Sequence, residues 1–328
     1  MATLKDIAQK AGVTTTTVSR VINNRGYISE QTRAKVFQVM EELNYHPNEL
    51  ARALAKKHNS TIGVIVPHIS HPFFANLISN LESSAMKKGY KILLCNSKDK
   101  QSKEMEYLEM CISNRVAGII LCSKYVDAKK FSKLNIPIVN LEQEDSFNAI
   151  SIQCDNYEGG RMAAQHLISC GCKKILHFGG IAGKNMPADQ RAQGFTDVCE
   201  SHKVLSKVVL TDQSAYGTMN YHGVIESVLE ENRDADGIFA SSDLIAAQVV
   251  QVCNAMDIKV PEDVCLVGFD DVYIAQLTTP TITSIHQPIR KMAELSIDCI
   301  DKTLNGEVVP SKITLPVTLI KRNSTKID

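Results

Sequence analysis

Thr3-Leu-Lys-Asp-Ile-Ala-Gln-Lys-Ala-Gly-Val-Thr-Thr-Thr-Thr-Val-Ser-Arg-Val-Ile-Asn23 decides what the first part of the chain is. Ala8 is small, Gly12 follows four residues later, and Val18 and Val21 come next, three apart. A small residue lets a second helix cross closely over the first. A glycine supplies the left-handed backbone of a tight turn. Two apolar residues three apart share one helix face and pack back on Ile7 and Ala8. This is the spacing of a helix-turn-helix. The flanking signals agree. Thr3 is the N-cap of a helix over 4–11 with Asp6 three residues on, close to a capping box. Thr14 caps a second helix over 15–23. Ser29 caps a third over 29–43, with Val36, Val39, Met40 and Leu43 as its apolar stripe.

The outward residues of the second helix are then the readers of a nucleic acid. Thr15 and Thr16 stand in its first turn, the part that reaches base edges in the major groove. A threonine meets a polar edge with its hydroxyl or a thymine methyl with its own methyl. Arg20, one turn beyond Thr16, can fork onto a guanine or a phosphate. Thr17 and Ser19 are better placed for phosphates. A β-branched run is poor helix material, which suggests that these side chains are kept for contacts.

Charge follows the same division. Residues 1–60 hold nine Lys and Arg against five Asp and Glu, and the rest of the chain holds 27 against 31. A basic head on an acidic body is the asymmetry of a nucleic-acid module joined to something else. The 328 residues are 44% hydrophobic and 22% charged, ordinary for a globular protein of two or three domains. No run reaches ~18 apolar residues, so no membrane span is expected. The N-terminus lacks the charged-then-apolar layout of a signal peptide, which places the protein in the cytoplasm. The ten cysteines are scattered through apolar stretches and read as reduced, buried thiols.

The run 3–23 resembles the head of the lactose/galactose repressor (LacI/GalR) family, as do Leu43-Asn-Tyr-His-Pro-Asn48 and Ala51-Arg-Ala-Leu54. The resemblance covers the whole chain. Within the family, Gly26-Tyr-Ile-Ser-Glu30, Ile69-Ser-His-Pro-Phe-Phe74 and Asp155-Asn-Tyr-Glu-Gly-Gly-Arg-Met-Ala-Ala164 are most similar to the branch that controls sucrose and related sugar operons. The resemblance implies that the segment after the three helices becomes a hinge helix on DNA. There a paired leucine, matched by Leu54, wedges into the minor groove of a dimer's operator. The residues agree with this. Pro47 suits a first helical turn. The segment 48–55 is about two turns long, too short to be stable alone, and an unpartnered Leu54 would find a partner between base steps. The expected DNA-contacting set is Thr3, Leu4, Thr14, Thr15, Thr16, Thr17, Ser19, Arg20, Asn23, Tyr45, Asn48, Ala51, Leu54 and Lys57. The expected domains are a head over 1–46, a hinge helix and linker over 47–60, and a body over 61–328.

In the body, short apolar strands alternate with amphipathic helices. Strands are expected at 61–66, 91–95, 118–122, 137–141, 150–153, 174–178, 237–240 and 264–268. Helices are expected at 73–88, 102–113, 157–169, 188–201, 217–231 and 243–256. Continuous apolar strands between helices mean parallel sheets covered on both faces, and a break near 145–148 suggests two lobes. The late segments 281–286, 289–304 and 312–321 form no lobe of their own. They are expected to cross back between the two, as in the family's periplasmic-binding-protein-like body. The lobes then comprise about 61–156 plus 288–314, and about 157–287 plus 315–328.

Open α/β lobes bind ligands at the carboxyl ends of their strands, so the cleft between the lobes is the expected site. Strand ends deliver His71, Phe73, Phe74, Glu142, Asp155, Arg191, Ser242, Asp243 and Asp270. Carboxylates accept from vicinal hydroxyls, an arginine fork donates to them, and an aromatic covers a sugar face. Asp155 and Asp243 both precede helices and serve equally well as N-caps. The resemblance implies that Phe73, Phe74, Arg191, Ser242 and Asp270 line an effector pocket.

Other chemistries fit poorly. Gly179-Gly-Ile-Ala-Gly183-Lys184-Asn185 has three residues, not four, between its glycines and lacks the Ser or Thr of a P-loop. Cys170, Cys172 and His177 lack the spacing of a metal site. No nucleophile elbow or other local catalytic signature is present. The expectation is therefore not an enzyme, with no cofactor and no metal. It is a repressor that binds an inverted-repeat DNA operator as a homodimer, under control of a small effector, a sugar or sugar phosphate. Alternatives are control by a purine-like corepressor or a partner protein, a sugar-binding transport protein, or a nucleotide-dependent enzyme.

Overall fold

The computed structural model describes residues 2–22, 25–45, 59–122, 136–141, 149–181, 187–211 and 213–326. Asn23, Asn48, Ala51, Leu54, Lys57 and Glu142, and most of the expected hinge helix, lie outside these residues. The chain divides into two compact units, Met1–Asn59 and Ser60–Asp328.

The first unit is three helices, α1 (Leu4–Ala11), α2 (Thr15–Ile22) and α3 (Glu30–Glu42). A full capping box opens α1: the Thr3 side chain accepts from Asp6 N while the Asp6 carboxylate takes the Thr3 N–H. Such a cap contributes about 1 kcal/mol. Gly12 ends the helix at φ 64°, a conformation that favours glycine. Ile7, Ala8, Ala11, Val18, Val21, Val36, Val39 and Met40 form one buried cluster, so the small–Gly–apolar–apolar spacing closes the core of this unit.

The second unit holds two six-stranded sheets, each with its own helices. β1 (Thr61–Val66), β2 (Lys91–Asn96), β3 (Gly118–Leu121), β4 (Ile138–Asn140), β5 (Ile150–Cys154) and β11 (Lys312–Leu315) make the first sheet, in the order β11-β5-β4-β3-β1-β2. β6 (Lys174–Ile181), β7 (Leu205–Thr211), β8 (Gly237–Ala240), β9 (Cys265–Asp270), β10 (Thr283–His286) and β12 (Thr318–Ile320) make the second, in the order β12-β10-β9-β8-β6-β7. All pairings are parallel except β10 with β12. The helices are α4 (Pro72–Lys87), α5 (Gln101–Ser113), α6 (Asn156–Ser169), α7 (Gln190–Ser201), α8 (Gln213–Thr218), α9 (His222–Glu231), α10 (Asp243–Ala255), α11 (Ile274–Leu277) and α12 (Ile289–Leu304).

The chain passes between the sheets three times: after β5, after β10 and between β11 and β12. After β10 it returns to the first lobe, where Ile289, Met292, Ala293, Ile297 and Ile300 of α12 join Ile62, Val64, Leu77 and Leu81 in one core. The second lobe has two cores, one on each face of its sheet. One centres on Leu176, Ile225, Ile238 and Val249, the other on Ala163, Phe195, Phe239 and Phe269.

At three places the structure corrects or refines the expected elements. Residues 205–211, for which no strand was expected, form β7; it lies at a sheet margin, and only Val209 and Thr211 of it are buried, so it lacks the apolar run of an inner strand. The single helix over 217–231 is two, α8 and α9, because Met219 turns left-handed at φ 55° and Asn220 Oδ1 accepts from His222 N to start the second. The tail 312–321, expected to cross between the lobes, is two strands in different sheets, split at Pro316, which cannot donate to a ladder.

Candidate functional site

The head offers one polar face. Thr14, Thr15, Thr16 and Arg20 are exposed, Thr17 and Ser19 half-buried. Thr17 N donates to Thr14 Oγ1 at 3.1 Å, and the two hydroxyls pair at 3.0 Å. Thr14 and Thr17 therefore lock the start of α2, and Thr15, Thr16 and Arg20 stand clear of that lock. Thr3 and Leu4 are exposed at the start of α1, and Tyr45 packs half-buried against the head core. Tyr27, which the sequence did not single out as a contact, is 96% exposed in the loop before α3.

In the body, Arg191 opens α7 at the mouth of the second lobe. Its Nε donates to Asn156 Oδ1 at 2.8 Å, one terminal nitrogen donates to Ser241 O at 2.6 Å, and its guanidinium carbon lies 3.6 Å above the Phe269 ring. Three neutral partners thus fix the plane of the fork and leave its other terminal nitrogen for a ligand. The helix comes this close because two glycines permit it: a Cβ on Gly160 of α6 would lie 2.0 Å from Arg191 O, and one on Gly194 of α7 would lie 2.1 Å from Tyr157 O.

Asp270 ends β9 at φ 109°, a backbone region strained for any side chain and common at binding sites. Its Oδ1 accepts from Gln287 Nε2 at 2.7 Å. Burial pushes its carboxyl up to about 7, against the opposing pull of Arg191 and Gln287. Asp243 lies beside it, fully buried, and accepts from Val272 N at 2.8 Å and from Ser284 Oγ at 2.6 Å. Burial, and next the charge of Asp270, raise its carboxyl well above the usual range. With both oxygens taken, Asp243 braces the turn that carries Asp270. Ser242 caps α10 through Ile245 N, and Asp155 caps α6 through Glu158 N.

On the first lobe, His71 caps α4, its Nδ1 accepting from Phe73 N at 3.2 Å. That bond leaves the ring proton on Nε2. Burial, and then the charges of His68 and Arg191, lower its pKa to about 4, so it is a neutral donor. Phe73 and Phe74 pack edge to face, 5.2 Å apart, within the core of the first lobe. Asn156, Gln287 and Phe269 hold Arg191 and Asp270 and were not singled out from sequence. Their signal was position alone, immediately after β5, after β10 and within β9.

Residues 3–48 match the family described as bacterial regulatory proteins, lacI family, and residues 164–325 match the periplasmic binding protein-like domain. The chain is 35% identical to the ribose operon repressor of Halalkalibacterium halodurans over 99% of this chain and 98% of that protein. It is 36% identical to the sucrose operon repressor of Streptococcus mutans over 99% of each. Among solved structures it is similar to the lac repressor dimer bound to operator and the anti-inducer ONPF, with TM-score 0.86 and 26% identity over 99% of each chain. It is also similar to a regulator of Alkaliphilus metalliredigens complexed with D-xylulofuranose, with TM-score 0.74 and 35% identity over 82% of this chain and 100% of that one. Likeness along the full length, from helix-turn-helix head to two-lobed body, makes this chain a member of the lacI family of bacterial regulatory proteins.

Proposed function

We propose that the protein is a transcriptional repressor that binds an inverted-repeat DNA operator as a homodimer and is controlled by a sugar held between the lobes. It works on DNA in the cytoplasm and catalyses no reaction. The observation that carries this reading is the pairing, in one chain, of a three-helix head with an exposed threonine and arginine face and a two-lobed body that holds an arginine fork in a fixed plane at a strand mouth. The names of the relatives, ribose and sucrose operon repressors, and the D-xylulofuranose complex support a sugar as effector. Thr15, Thr16 and Arg20 read bases. Segment 47–60 is the hinge, with Leu54 as its wedge. Arg191, Asp270, Ser242 and His71 face the sugar. An effector that alters operator affinity must itself be bound differently when operator is present.

The test is a thermal-shift series with D-ribose, sucrose, D-xylulose and their phosphate esters, followed by operator binding with and without the sugar that stabilises. At a hundredfold excess over Kd, a true effector should stabilise by about 2.7 kcal/mol. If no sugar shifts the melt, the cleft holds something else.

A further inference from the structure

The two lobes of the body are joined covalently at one margin only. β11 and β5 lie at one end of the first sheet and β12 and β10 at one end of the second. Two passages run between these strands, from β10 through α12 to β11 and from β11 to β12, and the third leaves β5 directly into α6, which packs on β10 and β12. β2 and β7 occupy the opposite ends. Yet the segments that follow these two far strands meet. After β2 the chain turns through Lys98 and Asp99, both left-handed, at φ 52° and 54°. Ser97 ties this turn down: its N–H donates to Val66 O at 2.9 Å and its hydroxyl to the buried Glu104 at 3.3 Å. The Asp99 carboxylate then accepts a hydrogen bond from the side-chain amide of Gln213, at the start of α8. Three residues on, and so on the same face of that helix, the Tyr216 ring meets His68 edge-on, centroids 5.5 Å apart at 67°. His68 lies just beyond β1, the neighbour of β2. Ala215, between the two contacts, is buried in the core of the second lobe and roots α8 there.

We propose that α8 is a clasp across the open end of the cleft, and that Asp99, Gln213, His68 and Tyr216 gate the entry and release of the effector. A contact at the end farthest from the covalent joints moves most when the lobes swing apart. Two weak contacts there govern opening more than equal contacts near the joints. None of the four belongs to the expected effector-binding set. The proposal rests on reading the cleft as the effector site.

The test uses the full chain. Gln213 is exposed, so Gln213→Glu is tolerated by the fold while setting two carboxylates against each other. Asp99→Asn keeps an acceptor for Gln213. The double variant Asp99→Asn/Gln213→Glu exchanges donor and acceptor. In effector-free protein, amide hydrogen exchange over 213–218 should quicken roughly three- to tenfold in Gln213→Glu, the worth of one hydrogen bond, and return to wild type in the double variant. The chain contains no Trp, so Tyr216→Trp supplies a single tryptophan, excited apart from the tyrosines, for stopped-flow mixing with D-ribose, sucrose or D-xylulose. In that background Gln213→Glu should speed both uptake and release of the sugar, and the exchanged pair should slow them again. Unchanged amide exchange, or no rescue by the double variant, overturns the clasp. Faster amide exchange with unchanged sugar rates overturns the gating. If none of the sugars binds, the functional reading fails by itself, and amide exchange still decides whether the clasp exists.

Discussion

Gly160 leaves no room for a side chain beneath Arg191, since a Cβ there would sit 2.0 Å from the Arg191 carbonyl oxygen. Gly160→Ala must push α7 away from α6, and backbone yields less readily than a side-chain tip. Overpacking of this kind costs about 1–3 kcal/mol. The variant should melt lower than wild type and bind its sugar more weakly, because the fork is displaced with its helix. A melt and a sugar titration within error of wild type would show that the crossing has slack.

Arg191 holds Asn156 and the Ser241 carbonyl while lying on Phe269. Arg191→Lys keeps the charge but loses the planar fork. It should weaken sugar binding about tenfold or more, with sugar-free operator affinity unchanged. Calorimetry with the stabilising sugar, alongside fluorescence anisotropy on operator DNA, separates the two. Equal sugar affinity in variant and wild type would place the pocket elsewhere.

The Asp270 carboxyl stands at about 7 when folded and at 3.8 in its ordinary state. Between those values the folded protein keeps a proton that the unfolded chain has lost, so this group's contribution to stability falls as pH rises through that window. Asp270→Asn retains the oxygen that accepts from Gln287 and removes the titration. Its melting temperature relative to wild type should rise between pH 4 and pH 8. A constant difference across that range would mean that the folded carboxyl ionises as it does in water.

Arg20 is exposed on α2, one turn beyond Thr16. Arg20→Ala should cost about 1–3 kcal/mol on the specific operator and much less on random DNA, with sugar binding intact. Equal losses on both DNAs would make Arg20 a phosphate contact.

The head was legible because its determinants are local: Thr3 with Asp6, Thr14 with Thr17, and Gly12 between two short helices. The places of Arg191 and Asp270 at strand mouths were legible because the strands and helices of the lobes alternate. What holds them was not. Asn156 meets Arg191 across 35 residues, and Gln287 meets Asp270 across 17; no periodicity carries such pairings. Asp243 shows the limit from the other side. A carboxylate after a strand reads as a ligand contact or a helix cap, and it is a buried brace for Val272 and Ser284. β7 escaped notice because a marginal strand with one face in water lacks a continuous apolar run.

The return of α12 to the first lobe sets an order of events at the ribosome. The head closes its core from residues within the first 40 or so positions. The first lobe cannot close until Ile289, Met292, Ile297 and Ile300 arrive to cover Ile62 and Val64. About 220 residues separate the end of β1 from the start of α12, roughly 10–45 s of translation at ordinary rates of about 5–20 residues per second. Throughout that interval the nascent chain carries a finished DNA-binding unit on an unfinished sensor. Synthesis halted anywhere before α12 leaves a fragment whose head core is closed while the core of its first lobe stays open.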